Sequence, residues 1–170
     1  MADTIEKPVG DTGYDKDFFL WTQQQADLLR QAARDRGNAP IDWENVAEEI
    51  ESLGGRDRRE VKSLVRHILA HLIKLQVSTL REPRNHWRQE IVAARDNLED
   101  ALHDSPSLKA RLPEFVESEW SMAVREATRS LEDDEEGARA IRTLVYLNVA
   151  GPNADNVLDP DFFPKSPASP

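Results

Sequence analysis

The strongest constraint on this chain is a helical stripe in residues 61–75, where Val61, Leu64, Val65, Ile68, Leu69, Leu72 and Leu75 fall on one face at the helical repeat. A stripe of that length must be covered, so the segment predicts a helix with neighbours packed against it. Asp57, followed at capping-box spacing by Glu60, predicts its start. Upstream, Phe18, Trp21, Leu28, Leu29 and Ala32 recur at helical intervals after Asp15 and Asp17, and Gly37, Asn38 and Pro40 supply a stop. Asp42 then reads as an N-cap accepting from the Asn45 N–H, with Ile41 and Val46 placed for a hydrophobic staple. The helix it opens is predicted to end at Gly54-Gly55, where a left-handed residue would satisfy the last carbonyls.

Downstream, Trp87, Ile91, Ala94, Leu98 and Ala101 step by fours and threes, and Leu102 widens that seam into a fourth helix. Ser105-Pro106 reads as a cap followed by proline at the first helical position, and Pro113 as a restart one or two turns later. The fifth helix carries Phe115, Val116, Trp120, Val124 and Ala127 to about Leu131, before an acidic run at 132–136 that reads as a loop. Residues 138–149 suit either a helix or a short strand; helix is chosen because no strand partner is evident. The predicted fold is all-α: an up-and-down bundle of five to six helices with no significant sheet, spanning residues 14–164 as one domain. Residues 1–13 and 165–170 read as poorly ordered tails, and Trp21, Trp43, Trp87 and Trp120 as core residues.

Composition narrows the function classes. The chain has no cysteine, which removes thiol chemistry, disulfides and thiolate-bound metals and suits a reducing, cytoplasmic setting. No apolar run approaches a membrane span, and no secretory leader is recognised, so neither a membrane nor an export route is expected. The net charge of -10 disfavours a polyanion partner for the molecule as a whole. The charge is nevertheless divided: residues 1–55 hold 5 basic and 12 acidic side chains, residues 56–95 hold 10 and 4, and residues 114–136 hold 2 and 9. The simpler reading pairs the basic segment with acidic neighbours across helix seams. The alternative is a nucleic-acid face of Arg56, Arg58, Arg59, Lys62, Arg66, Arg81, Arg84 and Arg88, although no recognition motif accompanies it.

His67 and His71 stand four residues apart, the spacing by which a helix offers two imidazoles to one metal ion. A carboxylate from Glu48 or Glu51 is the candidate third ligand, since Glu44, Glu48 and Glu51 share a face with Glu49 displaced from it. The preferred readings are structural: histidines at the edge of the stripe bonded to a neighbour, and carboxylates paired with the basic third helix. Asp100-x-x-His103 is a further near match at a helix end. No nucleophile elbow, phosphate loop or dinucleotide fingerprint is present, and the sequence specifies no cofactor.

Several blocks occur in a familiar order: Tyr14-Asp15-x-Asp17-Phe18-x-x-Trp21, Ala26-x-Leu28-Leu29-Arg30, Asp42-Trp43-x-Asn45, Glu48-Glu49-Ile50-Glu51-x-Leu53-Gly54, Leu69-x-His71-Leu72-x-Lys74, Trp87, Ser105-Pro106-Ser107-Leu108 and Leu158-Asp159-x-Asp161-Phe162-Phe163-Pro164. Together they resemble the bacterial family known as domain of unknown function 29. The chain departs from that pattern at residues 75–79 and at His86, where the family usually has serine. The resemblance implies an all-helical bundle in a bacterial cytoplasm. It assigns no role to Asp42, Glu48, Glu49, His71, Lys74 or Trp87. Three functions follow as expectations: a non-enzymatic module binding a protein partner or a second copy of itself, a metal-dependent enzyme built on His71, His67 and Glu48 or Glu51, and nucleic-acid binding through residues 56–95.

Overall fold

The computed structural model describes residues 13–35, 39–131, 133–146 and 151–165, and among these it is helical with no strand. In chain order the helices are α1 (Phe18–Asp35), α2 (Trp43–Val77), α3 (Pro83–Asp104), α4 (Pro106–Lys109), α5 (Leu112–Ser130), α6 (Glu135–Tyr146) and α7 (Ala154–Leu158). The expected all-α fold is therefore present, with seven helices among the described residues where five to six were expected, and residues 138–146 join it as helix rather than strand. Both predicted tails lie outside the described residues apart from Gly13 and Lys165, as do the Gly37-Asn38 stop and residues 147–149.

Asp42 caps α2 as its sequence predicts, its Oδ1 accepting from the Asn45 N–H at 3.3 Å. The predicted helix end at Gly54-Gly55 is wrong: α2 runs through both glycines as one rod of 35 residues, about 52 Å long at the helical rise. Asp57 and Glu60 lie inside it and cap nothing. Gly54 answers a different need, close approach. A Cβ there would meet Thr22 Oγ1 at 2.0 Å, so the missing side chain lets α1 lie directly on α2. Thr22 on α1 opposes Gly54, while Arg30 reaches Glu44 at 3.2 Å and Glu51 at 2.7 Å, which makes the two helices antiparallel.

The other half of α2 is wrapped by α3 on one side and by α5, α6 and α7 on others. Lys62 reaches Glu119 of α5 at 2.8 Å, and Arg66 reaches Glu119 and Glu126 at 3.6 and 3.8 Å, so part of the basic segment pairs with the acidic fifth helix. Because α2 is covered on all sides here, eight consecutive residues from Ile68 to Leu75 are buried, not a stripe alone. Leu72 is fully buried, whereas Leu64 is half-covered at the edge of the core. Of the tryptophans, Trp87 is buried and Trp21, Trp43 and Trp120 are half-buried, which corrects the expectation that all four lie inside. Ile41 and Val46 are exposed, so no staple covers them.

Side-chain bonds fix the ends. The Asp17 carboxylate accepts from the Leu20 N–H at 2.9 Å and from the Ser107 N–H at 2.6 Å, tying the start of α1 to α4. Ser105 occupies the predicted cap position, but its hydroxyl accepts from the Phe19 N–H at 3.1 Å and donates to Asp57 Oδ2 at 3.3 Å instead of capping α4. At the opposite end buried Ser78 donates to Asp134 Oδ2 at 2.6 Å, and Asp134 Oδ1 accepts from the Gly137 N–H to open α6.

Candidate metal centre

The seam between α2 and α3 carries a polar cluster inside the apolar wrap. His67 and His71 come from successive turns of α2, and their ring centroids are 4.2 Å apart. Because α3 runs back along α2 after residues 78–82, it places Glu90 opposite them. His67 Nε2 lies 3.2 Å from Glu90 Oε2, and one ligand atom from each of His67, His71 and Glu90 falls within 4.8 Å of the others. His86 Nδ1 stands 3.9 Å from the second Glu90 oxygen, at the more exposed edge.

His71 has a defined tautomer. Its Nδ1 lies 2.9 Å from the His67 carbonyl, and a carbonyl only accepts, so Nδ1 carries the proton and Nε2 keeps its lone pair. Burial pushes the His71 pKa down to about 4, outweighing the favourable bond to the His67 carbonyl, so the ring is neutral near neutrality. A neutral imidazole oriented by a backbone carbonyl through its far nitrogen is the form in which histidine binds metal. His67 and Glu90 are partly exposed, at 36% and 40% of their side chains, so the cluster opens to solvent on that side.

Lys74 lies one turn beyond His71 and is 7% exposed. Its ammonium sits 5.4 Å from the centroid of the buried Trp87 ring. Burial lowers its pKa to about 8, against the opposing pull of Glu126 and Glu90.

The carboxylates expected at this site are not there. Glu48 and Glu51 belong to the far half of α2; nineteen residues separate Glu48 from His67, roughly 28 Å along a continuous helix. Glu51 and Glu44 pair with Arg30, while Glu48 and Glu49 are exposed. The expected pairing of these carboxylates with a separate basic helix fails for the same reason, since both segments are one helix. Asp100 and His103 are exposed and stand apart from the cluster. Among the family-block residues, Asp42 is the α2 cap, and His71, Lys74 and Trp87 meet at this seam.

Two residues went unnoticed in the sequence. Glu90 lies three positions after Trp87, on the edge of the seam that faces α2, and that spacing was the available signal. Arg95 is buried on α3, and its guanidinium donates to the carbonyls of Asn156, Val157, Pro160 and Phe162 at 2.8 to 3.3 Å. It also lies 5.2 Å from the Phe163 ring centroid, which Arg88 approaches at 5.0 Å from the same helix. Arg95 thus pins the closing segment, and Gly151 lets that segment pass against Trp120, where a Cβ would meet the indole at 2.2 Å.

Residues 13–163 match the family described as domain of unknown function DUF29. The chain is 33% identical to an alpha-helical protein of unknown function from Rhodospirillum rubrum whose crystal structure is known; the match covers 90% of this chain and 93% of that one, with a TM-score of 0.66. No curated protein matches. The chain belongs to the DUF29 family.

Proposed function

We propose that this DUF29 member is a metal-binding helical bundle, with His67, His71 and Glu90 holding one divalent transition-metal ion at the α2–α3 seam. The observation that carries the reading is the spacing of the donors. Metal–ligand bonds of about 2.1 Å in a tetrahedron set neighbouring donors roughly 3.4 Å apart, and His67 Nε2 and Glu90 Oε2 already stand close to that, at 3.2 Å. His71 completes the set through the nitrogen that its backbone bond leaves with a lone pair. Two imidazoles and one carboxylate suit zinc, iron, cobalt or nickel over calcium or magnesium, and three protein donors leave a coordination position open. This is the metal-dependent alternative with Glu90 in place of Glu48 or Glu51. Titration of untagged protein with Co(II), followed by its visible bands, is expected to saturate at one ion per chain. His71→Ala should abolish the bands, and Glu90→Gln should weaken binding. Saturation unchanged in both variants, or no band at all, would overturn the reading.

A second reading, contact with another protein or a second copy of the chain, is supported by exposed Leu28 on α1, Ile41 just before α2 and Val46 in the first turn of α2. Light scattering checks it: a mass that falls when all three are changed to serine supports contact between copies. Nucleic-acid binding is less favoured, because Lys62, Arg66 and Arg84 of the candidate face are engaged within the protein. We place the protein in a bacterial cytoplasm on its lack of cysteine and its family. No helix among the described residues is long and apolar enough to cross a membrane.

A further inference from the structure

Lys74 is a charge that the fold encloses without a carboxylate in contact with it. It is 7% exposed, and among the described residues it makes no ion pair or hydrogen bond. The Trp87 ring at 5.4 Å offers its negative face and no acceptor. Its neighbours Ile73 and Leu75 are fully buried, so an apolar side chain would have suited the position. Glu126 and Glu90 act on the ammonium from a distance but neither forms an ion pair with it, and an ammonium enclosed without a contacting counter-charge costs free energy that a bound anion would recover.

The position of that anion follows from the cluster. Lys74 follows His71 by three residues and so shares its face of α2, and across the seam Glu90 is close enough to act on both groups electrostatically. With a divalent ion on His67, His71 and Glu90, the single Glu90 charge leaves the site cationic, with a coordination position open. We propose that the site takes an oxyanion, the carboxylate or phosphate group of a small molecule, with one oxygen on the metal ion and another accepting from the Lys74 ammonium. The inference rests on the metal reading for the first contact and on Lys74 alone for the second. Lys74 acts as the anchor that selects an anionic ligand over a neutral one, because an uncharged group would leave the ammonium unpaired.

The test uses Co(II)-loaded wild-type protein and Lys74→Met, a substitution that fills the same space without the charge. Acetate and inorganic phosphate are titrated separately against the visible bands. In wild-type protein at least one is expected to shift the bands saturably, and which one does so identifies the group. In Lys74→Met the Co(II) affinity should persist while the anion binds about tenfold more weakly, the loss of one charge-assisted hydrogen bond. Equal anion affinity in the two proteins, or no response to either anion, overturns the proposal. If no Co(II) binds, the metal reading fails by itself, and phosphate and acetate are titrated against the Trp87 indole N–H resonance of metal-free protein. A saturable shift lost in Lys74→Met then supports the Lys74 anion site; its absence, or its persistence in the variant, overturns it.

Discussion

Arg95 shows how much one side chain carries in this molecule. Its guanidinium serves four backbone carbonyls more than sixty residues away, and no side chain without that fork of donors could replace it. Arg95→Met should cost about 3 kcal/mol, because it strands the buried Val157 carbonyl and unties three partly buried ones. Thermal melting should record the loss, and limited proteolysis should cut the variant first within residues 151–165. Lys74 carries the opposite kind of cost. In metal-free protein its burial, set among His71, Glu90, Glu126 and Trp87, lowers its pKa to about 8 from 10.5. Between these values the unfolded chain keeps the proton and the folded one releases it, so stability rises with pH through that window. Below pH 8 the folded protein must enclose the charge, and Lys74→Met should be the more stable protein there. The difference should narrow as pH rises from 8 to 10.5, as denaturant melts at a series of pH values would show. His71 was legible in the sequence as half of a spaced pair, because four residues on a helix fix a direction. Glu90 and Arg95 were not, because their partners come from other elements and no local spacing announces them.

Gly54 and Gly55 are neighbours in one helix with opposite reasons for being small. An added Cβ at Gly54 collides with Thr22 Oγ1, whereas at Gly55 it meets only the flexible tip of Arg59 at 3.3 Å. Gly55→Ala should therefore stabilise the protein by up to about 1 kcal/mol through helix propensity. Gly54→Ala should destabilise it by about 1–3 kcal/mol despite the same propensity gain, because α1 must move outward. Adding Thr22→Ala to Gly54→Ala should restore part of that loss, leaving a coupling energy that chemical melts of the two single variants and the double variant can measure. These glycines also explain why one element was misread. A Gly-Gly pair followed by Asp-x-x-Glu has the local signature of a stop and a fresh start, and only the approach of α1 overrides it. The remaining long helices were legible because each carries its own stripe and needs no distant partner to be recognised. The total enclosure of residues 68–75 was not, since a stripe reports one packed face and is silent about a helix covered on every side.

Across the molecule α2 is the element that nearly everything else touches, and its two halves are held by different neighbours: α1 on the N-terminal half, α3, α5, α6 and α7 on the C-terminal half. The ion pairs follow that division, with Arg30 serving the first half and Glu119 the second. Two adjacent glycines in a helix interior carry a penalty of about 2 kcal/mol relative to alanines, so the continuity of the rod across residues 54–55 depends on α1 being docked there. The molecule should accordingly come apart in a set order. Detachment of α1 would release the glycine joint first and leave the wrapped C-terminal half of α2 standing as the last cooperative unit. Native-state hydrogen exchange should find amides near residues 54–57 opening together with those of α1, at a lower free energy than amides 68–75, which should exchange only through global unfolding. The joint that looks like a helix terminus in the amino-acid sequence would then survive as a memory of that role: a fracture line that the native contacts keep closed.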